Sequence, residues 1–239
     1  MEIERKLREI EAFLEAKTQK NLSKGELWIH LEELYQLCKE LYEQASIDFL
    51  TGLYNRRFFE KELELCVERA KRERCVFSLI LMDLDHFKSI NDRFGHLAGD
   101  EVLKGVGKLI RESIRKVDIP ARYGGEEFAI LLPGTSFEGA FSAAWRLKKK
   151  LREYQFGTEE KPIRVTASIG VGTYRPLNGT SAQEFLSEID ALLYQAKEKG
   201  RDLIMPERES PTEDKALEGI SFEERQALKG VWSYDDKHY

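Results

Sequence analysis

The chain has 239 residues, which is enough for one large domain or for one domain with appendages. Its 38 Lys and Arg nearly balance its 43 Asp and Glu, and the resulting net charge of −5 argues against sequence-independent DNA binding, which needs a net basic face. Cys38, Cys66 and Cys75 are odd in number and lack CxxC spacing, which argues against a disulfide framework and a zinc site. The sequence has no apolar run of membrane-spanning length and begins with charged residues, so we expect a soluble, cytoplasmic protein that does not bind membranes.

Residues 1–46 carry two runs of apolar residues at alternating spacings of three and four, which indicates two amphipathic helices with heptad seams. Between the runs, Ser23 and Glu26 form a capping box that predicts the start of the second helix. We therefore expect an N-terminal helical hairpin. Two interpretations stay open: a cap that packs on its own domain, and a dimerisation or signalling module.

A core domain is predicted over residues 47–206, with helices and strands that mostly alternate. Gly124-Gly125 joins two strands as a hairpin, so parallel crossovers are mixed with antiparallel pairing, as in an α+β, ferredoxin-like mixed sheet flanked by helices. The predicted helices are 56–72, 86–93, 98–115, 137–154 and 183–199, and the predicted strands are 75–83, 120–123, 127–132, 163–174 and 202–205. Residues 207–239 are polar at first, which predicts a linker, and then hold a possible short helix over 222–229.

The first chemical motif is Asp83-Leu84-Asp85, at the end of the predicted strand 75–83. Asp83 can ligate a metal ion there. The helix predicted to start at His86 offers the unpaired N–H groups of residues such as His86 and Phe87 to a phosphate, and Lys88 adds a positive charge. The alternative interpretation is that Asp85 only caps this helix and that Lys88 is solvated.

The second motif is Arg122-Tyr-Gly-Gly-Glu-Glu-Phe128, where two glycines form a tight turn beside Glu126 and Glu127. An apolar run follows the turn, as one precedes Asp83, so each motif lies at the end of a buried strand. Carboxylates brought together at strand ends are typical of Mg²⁺ sites that bind nucleoside triphosphates.

Two further pairs complete the pattern. Asn91 offers a donor and an acceptor, and Asp100 offers acceptors for the adjacent N1–H and 2-amino donors of guanine, which adenine lacks. Lys197 and Arg201 are one helical turn apart and can clamp a triphosphate. The alternatives are that Asn91 and Asp100 cap helices and that Lys197 and Arg201 offset the dipole at a helix C-terminus.

Together the blocks 48–57, 83–100, 122–128, 167–171 and 194–201 resemble, in order, the GGDEF family of diguanylate cyclases, over about residues 46–205. The resemblance implies a palm-like fold of the nucleotidyl cyclase kind, two GTP as substrates, cyclic di-GMP and two pyrophosphates as products, Mg²⁺ or Mn²⁺ as cofactor, and a homodimer that pairs two half-sites. The sequence has Glu126 where the family name has Asp, and this form is a common active variant.

The resemblance also implies roles for individual residues. Metal ligands are expected among Asp83, the Leu84 carbonyl, Glu126 and Glu127, and Glu126 is expected near the proton of the 3′-hydroxyl. Catalytic or substrate-binding roles are implied for a larger set of residues: His86, Phe87, Lys88, Asn91, His96, Asp100, Lys197 and Arg201.

Arg115-Lys-Val-Asp118 matches the RxxD inhibitory site of the family, which binds the product, and Arg146 lies where a second arginine often contributes. The alternative interpretation of Arg115 and Asp118 is a salt-bridged helix end. Two other functions remain beside the cyclase: a catalytically weak receptor for cyclic di-GMP that uses Arg115 and Asp118, and a structural dimer module. Receptors usually lack the turn carboxylates, whereas this sequence retains them.

Overall fold

The computed structural model describes residue 34 and residues 45–158, 160–176 and 179–208. The chain divides into two compact units, Met1–Ile47 and Asp48–Tyr239, and the elements below belong to the second. The predicted helical hairpin lies almost wholly outside the described residues, as do the predicted helix over 222–229 and the end of the chain.

None of the helices in the described part of the chain is both long enough and apolar enough to cross a bilayer.

Eight strands and five helices form the described part of this unit. The strands are β1 (Tyr54–Asn55), β2 (Phe77–Leu84), β3 (Ile119–Arg122), β4 (Glu127–Pro133), β5 (Phe156–Gly157), β6 (Pro162–Ile163), β7 (Ala167–Tyr174) and β8 (Ile204–Met205). The helices are α1 (Arg56–Glu73), α2 (Phe87–Phe94), α3 (His96–Arg111), α4 (Phe137–Glu153) and α5 (Ala182–Glu198).

Six strands form one mixed sheet in the order β1-β3-β4-β2-β7-β8, and β5 pairs with β6 separately. β2 is central and antiparallel to both β4 and β7, while the outer pairs β1–β3 and β7–β8 are parallel. The predicted mixed α+β sheet is confirmed. Because β2 and β4 run in opposite directions, the end of β2 meets the start of β4 at one edge of the sheet.

The sheet is buried on both faces. Successive side chains of its central strands point to opposite faces, and those on both faces are apolar. On β2, Ile80, Met82 and Leu84 belong to a core shared with α2, α3 and α4, whereas Leu79 and Leu81 belong to a second core shared with α1 and α5. A central strand apolar at every position is expected for a sheet with helices on both sides.

Short polar residues fix where the long helices begin. The Asn55 side chain accepts a hydrogen bond from Phe58 N, which starts α1, and Ser136 does the same for α4. Ser181 and Glu184 form a complete capping box at α5.

Glycines on β7 let α5 approach the sheet closely. A Cβ at Gly170 would meet the Ile189 carbonyl and the Leu193 amide, both backbone atoms of α5. A Cβ at Gly172 would meet the Ile189 side chain. Gly170 and Gly172 therefore bring the last turn of α5 to the edge of the sheet where β2 ends.

The predicted elements differ from the structure mainly at their ends. The predicted strand 163–174 is two elements, because Thr166 bonds to Asp85 rather than to a neighbouring strand and β7 begins only at Ala167. The predicted strand 202–205 is shortened to β8, since Asp202 has a left-handed backbone. The predicted helix 98–115 spans His96–Arg111, and β1, β5 and β6 are too short for a periodic pattern.

Candidate active site

Three acidic residues from two strand ends lie at one edge of the sheet. Asp83, near the end of β2, lies opposite Glu127, the first residue of β4. Glu126 precedes it, and its carbonyl accepts a hydrogen bond from Leu84 N at 3.2 Å. The structure thus brings together the residues predicted as metal ligands from two motifs more than 40 positions apart.

Lys197 adds a positive charge to this cluster. Its Nζ lies 2.7 Å from Asp83 Oδ2, and the Asp83 side chain is only 9% exposed. Lys197 is in the last turn of α5, which β7 holds close to the sheet. In this structure Lys197 therefore pairs with a predicted metal ligand, although the sequence pattern assigned it to phosphate.

Burial shifts the protonation of two of these carboxyls. Burial raises the pKa of Asp83, and the ion pair with Lys197 opposes that rise. Burial also raises the pKa of Glu126, and the nearby charges of Asp83 and Glu127 add to it. Lys197 and Arg201 offset part of the negative charge of these carboxylates, and a small divalent cation beside Asp83 and Glu126 would offset more of it.

The donor set fits a hard divalent cation. No three His, Cys, Asp or Glu side chains are grouped as a metal site within the described ranges. The carboxylates of Asp83 and Glu126 present only oxygen atoms, which Mg²⁺ prefers as ligands. The Leu84 carbonyl, which is also among the predicted ligands, is an oxygen donor as well. Mg²⁺ keeps several waters and binds with substrate phosphates, so it needs few protein ligands.

The glycine turn joins β3 to the antiparallel β4, as the sequence predicts. Gly124 and Gly125 both have φ angles outside the left-handed region, so conformational freedom is not their main role. A Cβ at Gly124 would collide with the Glu127 carboxylate. A Cβ at Gly125 would lie more than 4 Å from the other described atoms, so this glycine leaves open space beside the carboxylates.

Arg122 supports the turn from inside the domain, a role that the sequence analysis did not assign. Its Nη2 and Nε donate to the Gly125 carbonyl at 2.8 and 3.2 Å. Its Nη1 lies 3.3 Å from Asp48 Oδ2, and both side chains are mostly buried. Arg122 and Asp48 were both within quoted motifs, but their pairing spans 74 positions and local spacing does not reveal it.

Asn91 and Asp100 lie at the corner between α2 and α3. Asn91 is inside α2, and its side chain packs against Gly99, where a Cβ would overlap the amide oxygen. Asp100 follows Gly99 in the second turn of α3. Neither residue is at a cap position, so the capping interpretation of both is wrong. Their side chains are half-buried, and His96 is exposed at the start of α3.

Residues at the start of α2 contribute in different ways. His86 is the N-cap residue with a left-handed φ of 56°, and its side chain is exposed. The Phe87 side chain is buried in the core, which leaves only its backbone N–H for a phosphate. Lys88 is exposed.

Asp85 does not cap α2, contrary to the alternative interpretation from sequence. It is 5% exposed, and its carboxylate accepts hydrogen bonds from Thr166 Oγ1 and Ser168 Oγ, both at 2.7 Å. It also accepts one from the Asp202 backbone N at 3.0 Å. A buried carboxylate with three donors is well satisfied. Thr166 and Ser168, two positions apart in the predicted strand 163–174, were the available sequence signal.

Arg201 lies in a left-handed turn after α5. Gly200, Arg201 and Asp202 have φ angles of 113°, 65° and 48°. The Arg201 side chain is exposed, one turn of chain beyond Lys197. The positive charge of Arg201, like that of Lys197, opposes the rise in the pKa of Asp83.

The predicted inhibitory residues form a separate cluster after α3. Arg115 Nη2 lies 3.0 Å from Asp118 Oδ1, and the Arg115 backbone N donates to Asp118 Oδ2 at 2.8 Å. This is the salt bridge that the alternative interpretation predicted. Arg146 is exposed on α4, one turn before Lys150, whose Nζ donates to Ser113 Oγ at 3.2 Å. Arg146 and Lys150 are four positions apart and therefore lie on the same face of α4, the face whose Lys150 contacts Ser113 just after α3.

Comparison with known proteins gives a consistent result. The family model "Diguanylate cyclase, GGDEF domain" matches residues 45–203. Diguanylate cyclase DgcP of Pseudomonas aeruginosa is 41% identical over 72% of this chain and 24% of its own length. Response regulator PleD of Caulobacter vibrioides is 38% identical over 68% of this chain and 36% of its own length. An uncharacterised Bacillus subtilis protein, YhcK, is 41% identical over 73% of this chain and 49% of its own length. The chain thus spans half or less of these relatives.

Solved structures are similar as well. The GGDEF domain of DgcB from Caulobacter crescentus, in complex with c-di-GMP, superposes with a TM-score of 0.64 at 30% identity, covering 67% of this chain and 92% of that one. The diguanylate cyclase SiaD of Pseudomonas aeruginosa, in complex with its activator SiaC, gives 0.67 at 32% identity, covering 84% and 79%.

Proposed function

Since the chain belongs to the GGDEF family of diguanylate cyclases, we propose that it condenses two GTP molecules into cyclic di-GMP and releases two pyrophosphates. The observation that carries this proposal is the meeting of Asp83, Glu126 and Glu127 at the joint end of β2 and β4. Asp83 is buried and Glu126 is half-buried, and burial raises the pKa of both carboxyls, as is common at functional sites. The c-di-GMP bound to the DgcB domain supports the same chemistry.

The reaction is a nucleotidyl transfer that occurs twice. Each 3′-oxygen forms a bond to the α-phosphorus of the other GTP, the bond from that phosphorus to pyrophosphate breaks, and the 3′-hydroxyl proton leaves. Phosphoryl transfer depends mainly on positioning and on neutralising charge. Glu126, whose burial raises its pKa, is suited to accept this proton.

Asp83, the Leu84 carbonyl, Glu126 and Glu127 would hold Mg²⁺ or Mn²⁺. When bound, the metal offsets the charge of the phosphates and of the departing pyrophosphate. Lys197 holds the Asp83 carboxylate in this structure and is free to move to phosphate when a cation replaces it there. Lys197 can therefore pair with Asp83 in the absence of metal and contact phosphate in its presence, as the sequence predicts for Lys197 and Arg201.

GTP recognition follows from the positions of the remaining residues. Asn91 and Asp100 read guanine at the α2–α3 corner, beside His96. The α2 start at His86 and Phe87 and the exposed Lys88 contact phosphate, and Lys197 and Arg201 contact it from the end of α5. Each protomer then carries one GTP, and a homodimer is needed to bring the second one across.

Product inhibition through Arg115, Asp118 and Arg146 is a second part of the proposal. Asp118 already bonds to Arg115, so the product would have to bind the pair together or replace its hydrogen bonds. Excess cyclic di-GMP should lower the initial rate, and Arg115→Ala should abolish that effect. Initial rates of the parent that do not change with added product would contradict this part.

The principal experiment is incubation of the full chain with GTP and Mg²⁺, followed by chromatography and mass determination of the products. Cyclic di-GMP and pyrophosphate are expected in a 1:2 ratio, with no corresponding product from ATP because of Asp100. Glu126→Gln should abolish turnover, whereas Glu68→Gln, an exposed carboxylate on α1, should not. Binding of cyclic di-GMP without any turnover of GTP would favour the receptor alternative instead.

A further inference from the structure

The buried carboxylate of Asp85 has no role in the chemistry proposed so far, although it lies two positions beyond Asp83. Only 5% of the residue is exposed. A buried charge is costly unless hydrogen bonds satisfy it, so its partners indicate its purpose. Three donors from two distant segments converge on it.

Two of the three donors belong to a segment that the sheet already holds. Thr166 and Ser168 flank Ala167, which pairs with Leu84 in the β2–β7 ladder. Asp85 N also donates to the Thr166 carbonyl at 2.9 Å. Loss of one hydroxyl contact would therefore leave β7 attached to β2 through its backbone.

The third donor is different, because it belongs to the turn that carries Arg201. Asp202 N donates to Asp85 Oδ2 at 3.0 Å, across 117 positions of sequence. Arg201 and Asp202 both have left-handed backbones, which are unfavourable for residues other than glycine and persist only where neighbouring contacts enforce them. The Arg201 N–H bonds back to the Ala196 carbonyl at 3.0 Å, so the turn is fixed on both sides of Arg201.

The Asp202 side chain provides an independent attachment. Its carboxylate lies 2.9 Å from Lys148 Nζ and 3.5 Å from Arg152 Nη1, both on α4. The backbone of Asp202 thus connects to β2 through Asp85, and its side chain connects to α4. These two attachments can be separated by mutation.

We propose that Asp85 is a positioning residue that fixes the 200–202 turn and thereby aims Arg201 at the triphosphate. The inference rests on the proposed function, since it assumes that Arg201 contacts GTP. Asp85 itself does not touch the substrate. Its effect is on affinity for the triphosphate, transmitted through the Asp202 N–H bond.

The test measures binding of 3′-deoxy-GTP with Mg²⁺ to the full chain, because this nucleotide lacks the attacking hydroxyl and is not consumed. Asp85→Ala, which removes the acceptor of the Asp202 N–H, should weaken binding about tenfold, the loss expected for one misplaced charged contact. Arg201→Ala should weaken it at least as much. The double variant should bind no more weakly than Arg201→Ala, since contacts that act through one another are not additive. Multiplied losses in the double variant would overturn the proposal.

A matched control separates positioning from general support of the fold. Ser168→Ala removes one hydrogen bond from the same carboxylate but leaves the bond to Asp202 N. It should lower the unfolding temperature and retain the parent affinity for 3′-deoxy-GTP. An equal loss of affinity in Ser168→Ala and Asp85→Ala would overturn the proposal.

A second pair of variants acts on the turn itself, in case Asp85→Ala does not fold. Asp202→Gly keeps the N–H and tolerates the positive φ, whereas Asp202→Pro removes the N–H and cannot adopt that φ. Both remove the ion pairs with Lys148 and Arg152. Affinity should be kept in Asp202→Gly and lost in Asp202→Pro, and equal affinities would overturn the proposal. If the parent itself does not bind 3′-deoxy-GTP, the proposed function fails; if the parent binds and the variants match it, only the role of Asp85 fails.

Discussion

At the scale of single residues, the ion pair between Lys197 and Asp83 couples two proposed roles, phosphate binding by Lys197 and metal binding by Asp83. The ammonium lies 2.7 Å from a carboxylate that the proposed mechanism assigns to a metal ion. A cation that binds Asp83 must compete with Lys197, and a Lys197 released from Asp83 is available for phosphate. Metal binding and triphosphate binding are therefore expected to favour each other.

Lys197→Met should therefore change the affinities for metal ion and for GTP in opposite directions. Without the competing ammonium, Mn²⁺ should bind about tenfold more tightly in the absence of nucleotide, which corresponds to about 1.4 kcal/mol. GTP affinity should fall at the same time. Titration calorimetry measures both, with Lys199→Met as the control, because Lys199 pairs with exposed Glu207. Weaker Mn²⁺ binding by Lys197→Met would show that the two cations do not compete.

Glu126→Gln should stabilise the metal-free protein in a manner that depends on pH. Burial and the neighbouring carboxylates raise the pKa of Glu126 above its ordinary value, so the folded state holds this proton more tightly than the unfolded state. Ionised Glu126 therefore lowers stability above its folded pKa, and this effect disappears below the ordinary pKa of about 4.3.

The measurement is thermal unfolding of parent and Glu126→Gln from pH 4 to pH 8 without divalent cations. The variant should unfold at a higher temperature at pH 8, by a few degrees, and the difference should shrink to nothing near pH 4. Added Mg²⁺ with 3′-deoxy-GTP should reverse the order at pH 8. A difference that grows as pH falls would mean that the sign of the pKa shift is opposite.

The positions of site residues were predictable where a local motif marks them. The contacts that join residues from distant parts of the chain were not. Asp83 follows a buried run and Glu126 precedes one, so the pattern placed both at strand ends. The contacts of Asp85 with Asp202 and of Arg122 with Asp48 span 117 and 74 positions. They depend on how the sheet brings distant segments together, which spacing does not encode.

At the scale of elements, the distance between α5 and β7 controls where Lys197 lies. Gly170 contacts the α5 backbone directly, so α5 cannot adjust by moving a side chain. The Ser181–Glu184 capping box fixes the start of the same helix. The apolar pattern predicted the helix, but the Ser181–Glu184 capping box was not among the predictions, and the close approach at Gly170 depends on the partner helix.

Gly170→Ala should cost about 1–3 kcal/mol in the free energy of unfolding, since the added Cβ would overlap α5 backbone atoms and the helix must shift. Urea unfolding measures this cost. Gly125→Ala is the matched control, because a Cβ there meets open space, and its stability should change by less than about 0.5 kcal/mol. Equal losses in the two variants would contradict the close-packing account.

At the scale of the whole molecule, one domain supplies only half of the proposed reaction. Under the proposed function, each copy contributes one set of carboxylates and one corner that binds guanine, and the second 3′-hydroxyl comes from another copy. The activity is then a property of two protomers that face each other. The rate at low concentration is governed by how often they meet, and any segment that holds protomers together raises it.

The heptad pattern of residues 1–46 makes this segment the candidate for holding protomers together. Deletion of residues 1–45 should leave the activity per protomer almost unchanged at high protein concentration, where protomers meet unaided. At low concentration the activity per protomer of the truncated chain should fall in proportion to its concentration, while that of the full chain stays constant over a wider range. The measurement is initial rate across a dilution series, with sedimentation of both proteins at the same concentrations. If the two proteins keep equal specific activity at every dilution, the segment packs on its own domain or serves another purpose, and the pairing must reside in the domain itself.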